Sequence, residues 1–236
     1  MGCAPDLRQL DVGGRRIAYR LRRGAGPTIV FLPGYASDME GTKALALDAF
    51  AERSGLAMLR IDYSGTGSSG GRFEDGTLDR WVEESLAAID RLIEGPLIVI
   101  GSSMGGWIAL HLALLRPERV SALVAIAGAP DFTQWGFTEE QAARLTGETK
   151  PTRAFWESGQ LLRLLDGEIA VDCPVRLIHG ERDEEVPSDV AFRTMRQLRS
   201  SDVQLLLLKG GGHRLSLPHE IDAILRTVAG LLETSE

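Results

Sequence analysis

The stretch Pro96-Leu97-Ile98-Val99-Ile100-Gly101-Ser102-Ser103-Met104-Gly105 decides the fold. Leu97 to Ile100 is a short, unbroken apolar run of the kind that fills a strand covered on both faces. The Ala- and Leu-rich stretch from Met104 onward reads as a helix over 104–115. A strand that passes straight into a helix must turn sharply, and G-x-S-x-G at such a turn has a mechanical reason. The residues two before and two after the serine must be small because strand and helix pass close together. Gly101 and Gly105 meet that demand and leave Ser103 Oγ exposed at the carboxyl edge of the sheet. It also stands at a helix N-terminus, whose free N–H groups favour an oxyanion. Ser103 is the candidate nucleophile, and Ser102 lies off the centre of the glycine pair.

Outward from this turn, strands and helices alternate. Leu7–Val12 and Ile17–Leu21 flank Gly13-Gly14 and read as a hairpin. A strand over 28–32 follows, then a helix over 42–54, a strand over 56–61, a helix over 78–93, and a strand over 120–126 beyond the central helix. Residues 131–172 interrupt the rhythm with aromatics, two helical patterns and no strand. A strand over 175–179, a helix over 188–198, a strand over 203–208 and a helix over 219–233 then resume it. The expected fold class is α/β, a mostly parallel sheet with helices on both faces. Residues 1–236 read as a single domain carrying a short helical cap at about 131–172, above the carboxyl ends of the strands where ligands bind in such sheets.

Composition closes off several functions. The 236 residues include 26 Lys and Arg against 33 Asp and Glu, a net charge of −7 that does not suit a phosphate-tracking surface, so no nucleic-acid partner is expected. Two cysteines, Cys3 and Cys173, make a disulfide framework unexpected and fit a reducing compartment. No apolar run is long enough to span a membrane. The N-terminus, with Asp6 and Asp11 among its arginines, reads as neither signal nor transit peptide, so the expected location is cytoplasmic. Gly65-Thr66-Gly67-Ser68-Ser69-Gly70 matches G-x-G-x-x-G, but Gly71-Arg72-Phe73 after it does not open a helix, as a dinucleotide site requires. With no P-loop lysine, H-E-x-x-H or C-x-x-C either, no cofactor and no metal are expected.

A nucleophilic serine needs a base, and the base needs an orienting carboxylate. Among the four histidines, His111 falls within an apolar helix, His179 closes a strand under a loop, and His219 opens the last helix. His213 follows Gly210-Gly211-Gly212 at the end of a strand, where the backbone can place it freely, and is the candidate base. The loop after the strand over 175–179 offers Asp183, Glu184 and Glu185 as the acid, with Asp202 as a further competitor. Oxyanion donors are expected at the Met104 N–H and, from the loop after the strand over 28–32, at the Tyr35 N–H beyond Pro33-Gly34.

Taken together these residues resemble the α/β-hydrolase fold family of serine hydrolases. Pro33-Gly34-Tyr35 is similar to its oxyanion loop and Asp62-Tyr63-Ser64-Gly65-Thr66-Gly67-Ser68-Ser69 to its D-x-x-G-x-G-x-S turn. His179-Gly180-Glu181-Arg182-Asp183-Glu184-Glu185-Val186-Pro187 resembles its H-G-x-x-D-x-x-V-P acid loop. The resemblance implies Asp183 as the acid and hence Ser103, Asp183 and His213 as a triad. Pro33-Gly34-Tyr35, Gly41-Thr42-Lys43-Ala44, Asp62-Tyr63-Ser64-Gly65 and Gly101 to Trp107 together are closer still to its palmitoyl-protein thioesterase and acyl-glucuronide esterase group. The function this implies is hydrolysis of carboxylic esters or thioesters through an acyl-enzyme on Ser103. The alternatives are a carbon–carbon bond hydrolase using the same triad, or a non-catalytic binding protein of the same fold. Trp135, Phe137, Phe155 and Trp156 are the candidate pocket residues for a small-molecule or acylated substrate with an apolar acyl group.

Overall fold

The computed structural model describes residues 5–136 and 151–233. Strands β1 (Leu7–Val12), β2 (Arg15–Arg22), β3 (Ala25–Leu32), β4 (Leu56–Ile61), β5 (Leu97–Ser102), β6 (Val120–Ile126), β7 (Val175–Gly180) and β8 (Val203–Leu208) form one sheet in the order β1-β2-β4-β3-β5-β6-β7-β8. The β1–β2 hairpin joins antiparallel, and β2 also meets β4 antiparallel; from β4 to β8 all pairings are parallel. The parallel part is connected by α1 (Thr42–Arg53), α2 (Leu78–Leu92), α3 (Met104–Leu115) and α6 (Ser188–Gln197), and α7 (Pro218–Glu233) closes the chain. Between β6 and β7 the described residues hold two short helices, α4 (Phe132–Trp135) and α5 (Arg153–Leu161).

The apolar runs resolve into two cores by the period-two alternation of a strand. On β5, Leu97 and Val99 face α2 and α3, joining Trp81, Trp107 and Ile108. Ile98 and Ile100 face the other way and join Leu47 and Ala51 of α1 and Ile224, Val228 and Leu231 of α7. Continuous hydrophobicity is therefore what a strand with helices on both sides requires. The last strand departs from this: the Leu205–Leu208 run lies at the sheet edge, with Leu206 and Leu207 39% and 40% exposed. The reason is the return path of the chain. Helix α7 crosses back over the centre of the sheet to pack beside α1, not over β8.

The segment before β7 is tied to the sheet's helices by polar contacts. The Leu162 carbonyl accepts from Trp107 Nε1 and His111 Nε2, both at 3.0 Å. Ser158 Oγ donates to Asp79 Oδ1 at 2.6 Å, and the buried Asp131 carboxylate accepts the amides of Leu164 and Leu165. His111 is thus a core histidine that bridges α3 to this segment, with burial pushing its pKa down.

The tightest packing lies at the strand-to-helix turn. A Cβ built on Gly105 would stand 2.1 Å from the Leu32 carbonyl oxygen, and one on Gly101 2.0 Å from the Gly105 carbonyl oxygen. Both obstacles are backbone, so neither can rotate away. Gly105→Ala should therefore destabilise the protein by about 3 kcal/mol or more, since β3 or α3 must move. Thermal denaturation of the purified variant checks this, and a midpoint within a degree of wild type would refute the packing account.

Candidate active site

Ser103 sits at φ 53° and ψ −119°, a region that residues with a side chain rarely enter. Three backbone hydrogen bonds hold it there: its N–H donates to Ile126 O at 2.9 Å, and its carbonyl accepts from Gly106 N at 2.9 Å and Ala129 N at 3.0 Å. Four further non-glycine residues have positive φ, namely Ala36, Ala127, Asp131 and Leu215. All four lie in loops that follow strands β3, β6 and β8, at the same carboxyl edge of the sheet. Backbone strain among the described residues is concentrated around this serine.

The loops after β7 and β8 bring its partners. They are zipped together by Glu181 N to Leu208 O at 2.9 Å and Arg182 N to Gly211 O at 2.8 Å. A Cβ on Gly180 would stand 2.4 Å from Gly211 O, so only glycine permits that approach. Across the zipped loops, His213 Nδ1 lies 2.9 Å from Asp183 Oδ2, and His213 Nε2 lies 3.1 Å from Ser103 Oγ. Because a carboxylate only accepts, Nδ1 carries the proton and Nε2 is left as an acceptor for the Ser103 hydroxyl. Asp183 also accepts the amides of Val186 at 2.8 Å and Glu185 at 3.0 Å. Burial pushes its carboxyl pKa up, but the bonds from His213 and the two amides outweigh this and hold it below the ordinary carboxylate range. Beneath the loop, His179 Nε2 donates to Val186 O at 2.9 Å and lies 3.4 Å from Asp183 Oδ2. His219 is exposed on α7, away from this group.

Ser103 and His213 line a cavity of about 620 Å³. The Tyr35 residue lines it too, and neither its N–H nor that of Met104 donates to another described residue. The Tyr35 ring anchors this loop among Phe73, Phe155 and Phe132, with centroids 5.0, 5.1 and 6.1 Å away, and burial raises its phenol pKa well above the usual value. The loop is clamped again at Met39, whose N–H donates to Asp62 Oδ1 and whose carbonyl accepts from Arg60, both at 2.7 Å. Asp62 also takes the Ser68 amide at 2.8 Å. The G-x-G-x-x-G stretch thus wraps a carboxylate of its own chain, and a three-residue 3₁₀ turn over Phe73–Asp75, not a helix opening at Gly71, follows it.

The candidate pocket residues divide. Trp135 lines the cavity, whereas Phe155 does not: it is buried between Tyr35, Phe132 and Trp81 because α5 turns that face onto α2. Trp156, the next position round the helix, does not line the cavity either. Phe137 lies outside the described residues. Phe132, Lys43 and Arg214 also line the cavity; Lys43 stands in a stretch that carries the family resemblance, and none of the three was a candidate site residue from the sequence. Their signals there are weak, an aromatic in a helical segment and two cations at element ends.

Residues 27–169 match the family model described as the alpha/beta hydrolase fold, and the chain belongs to that family. Over 246 aligned residues it is 37% identical to the human protein named palmitoyl-protein thioesterase ABHD10, mitochondrial, covering 97% of this chain and 78% of the relative. Among solved structures, alpha/beta hydrolase domain-containing protein 10 from mouse superposes with a TM-score of 0.92 at 35% identity, covering 98% of this chain and all of that one. A putative hydrolase from Agrobacterium vitis S4 superposes with a TM-score of 0.88 at 38% identity, covering 96% and 98%. The human relative is mitochondrial by name, which overturns the cytoplasmic expectation drawn from the N-terminal residues.

The Ser103 backbone supplies a direct test. At most positions alanine is better tolerated than glycine, but φ 53° with ψ −119° favours glycine. Ser103→Gly should be more stable than Ser103→Ala by about 1 kcal/mol, a thermal midpoint roughly two to four degrees higher. Paired melting curves measure this, and the opposite order would show that the turn is not strained.

Proposed function

We propose that this chain is a serine hydrolase that cleaves carboxylic thioesters and esters through an acyl-enzyme on Ser103. The observation that carries the reading is the continuous polar chain from Ser103 Oγ through His213 to the buried Asp183. His213 Nε2 takes the hydroxyl proton as Oγ attacks the acyl carbonyl carbon. The carbonyl oxygen becomes an oxyanion that the N–H groups of Tyr35 and Met104 hold. Collapse expels the thiol or alcohol, which takes the proton from His213 as it departs and leaves Nε2 free again. Water, deprotonated by the same nitrogen, then attacks the acyl-enzyme, and the acid departs as Oγ regains its proton. Asp183 fixes the imidazole tautomer and orientation throughout.

The substrate class follows from the cavity and from kinship. Phe132 and Trp135, with Ala129 and Val186, give the cavity an apolar wall suited to an acyl chain. The human relative is a palmitoyl-protein thioesterase by name, which favours thioesters of apolar acids. The described residues 131–136, carrying Phe132 and Trp135, border the space for the acyl chain.

Ser103→Ala and His213→Ala should each lower kcat by about 10³ or more, and Asp183→Asn should lower it strongly with KM little changed. In wild type, kcat/KM should rise from acetyl to octanoyl thioesters by about fourfold per methylene, from roughly 0.8 kcal/mol for each CH₂ buried, until the apolar wall is filled. Steady-state assays across that series check both. Wild-type turnover in Ser103→Ala would sink the mechanism, and a flat or acetyl-favouring profile would sink the acyl pocket.

A further inference from the structure

We propose that His179 is a positioning residue for the reaction: from the end of β7 it clips the acid loop shut at Val186 and so holds Asp183 where His213 can use it. This rests on the reading of Ser103, His213 and Asp183 as the reacting chain and adds the group that sets the acid in place.

The loop that carries Asp183 is gripped at its start by main-chain bonds: Glu181 N to Leu208 O, Arg182 N to Gly211 O, and Asp183 N to Gly180 O at 3.3 Å. Beyond Asp183 it turns outward, and Glu184 and Glu185 are exposed. It returns to the protein at Val186, which is 3% exposed and lines the cavity. Two bonds meet there. The Val186 amide donates to Asp183 Oδ1 at 2.8 Å, and the Val186 carbonyl accepts from His179 Nε2 at 2.9 Å. The first ties the carboxylate to the far end of its loop, and the second ties that end to the sheet. Because a carbonyl only accepts, His179 Nε2 carries a proton. The same nitrogen lies 3.4 Å from Asp183 Oδ2, the oxygen that His213 Nδ1 reaches at 2.9 Å.

Packing alone does not account for an imidazole at this place. Val175 and Leu177 of β7 face the core beneath α2 and α3, and His179 is next in that period-two series. The ring is 1% exposed, and the small void beside it is lined by Leu110, Ala125, Leu177 and Ala191. Thr194, on the same wall, gives its hydroxyl to Val190 O at 2.8 Å. An apolar side chain suits such a wall, whereas a buried imidazole costs free energy unless its N–H is paired. Among the described residues the ring's polar contacts all lie in the acid loop, at Val186 and Asp183.

Three substitutions test this, each in protein whose melting curve shows it fully folded at the assay temperature. His179→Met fills the space without a donor, His179→Gln returns an N–H at similar reach, and His179→Asn carries the same amide one methylene short. With the neutral thioester S-butyryl-N-acetylcysteamine, the Met and Asn variants should lose about tenfold in kcat with KM within about twofold, because a misplaced acid costs the transition state more than the bound substrate. His179→Gln should recover most of that loss. The low-field proton resonance of His213 Nδ1–H reads the bond to Asp183 in the resting protein. It should move or broaden in the Met and Asn variants and return in His179→Gln. A residue that only packs would lower the melting midpoint and leave kcat and the resonance of the folded protein at wild-type values, and that result overturns the proposal. Equal kcat in the Gln and Asn variants also overturns it, a comparison that stands even if His179→Met does not fold. In the unaltered protein, a nitrogen NMR spectrum showing His179 Nε2 without a proton would overturn it too. If the resonance responds as stated while wild type turns over no thioester, the clip stands and the serine mechanism falls.

Discussion

The architecture of the cavity depends on one steric constraint, the contact between the start of α3 and the end of β3. At Gly105 the two backbones leave no room for a methyl group, 2.1 Å being the distance from a built Cβ to Leu32 O. That closeness forces the chain between β5 and α3 through the strained Ser103 conformation and lifts the side chain to the sheet edge. It also brings the loop that continues from β3 against the same turn, where a Cβ on Gly34 would stand 3.3 Å from Ser103 Cβ. The raised Ser103 hydroxyl and two free N–H groups are therefore outcomes of a single packing contact.

The second constraint is how the partners reach the serine. Asp183 and His213 lie on separate loops 30 residues apart in sequence, yet β7 and β8 are neighbours and their loops zip together where Gly180 meets Gly211. The Asp183 carboxylate is buried, which would ordinarily favour its neutral form, and the imidazole and two amides are what keep it charged. Dense hydrogen bonding here and at Asp62, under the Tyr35 loop, holds the irregular backbone around the cavity in place. Precise placement of reacting groups on a rigid sheet edge is what acyl transfer requires.

Much of this was legible in the residues because the same physics acts locally. The unbroken runs of β5 and β6 announce strands with two covered faces, and glycines mark Ser103 and His213 because only they permit the turns there. Asp183 was legible only through the loop pattern shared with the family, since a local reading cannot rank it above Glu184 or Glu185. The edge position of β8 was not legible: Leu205 to Leu208 states hydrophobicity but not where α7 will return. Nor could the sequence tell which aromatic fills core and which faces the cavity. Phe155 and Phe132 differ only in the face their helices present, and that face is set by tertiary contacts such as Ser158 to Asp79.

The central claim is that Ser103 carries the acyl group, and the most direct measurement is to catch it there. The protein is mixed with an octanoyl thioester, quenched in acid during turnover, digested and mapped by mass spectrometry. The account predicts one octanoyl group on the peptide containing Ser103, absent from Ser103→Ala. An octanoyl group on any other residue, or turnover by Ser103→Ala at the wild-type rate, would contradict it.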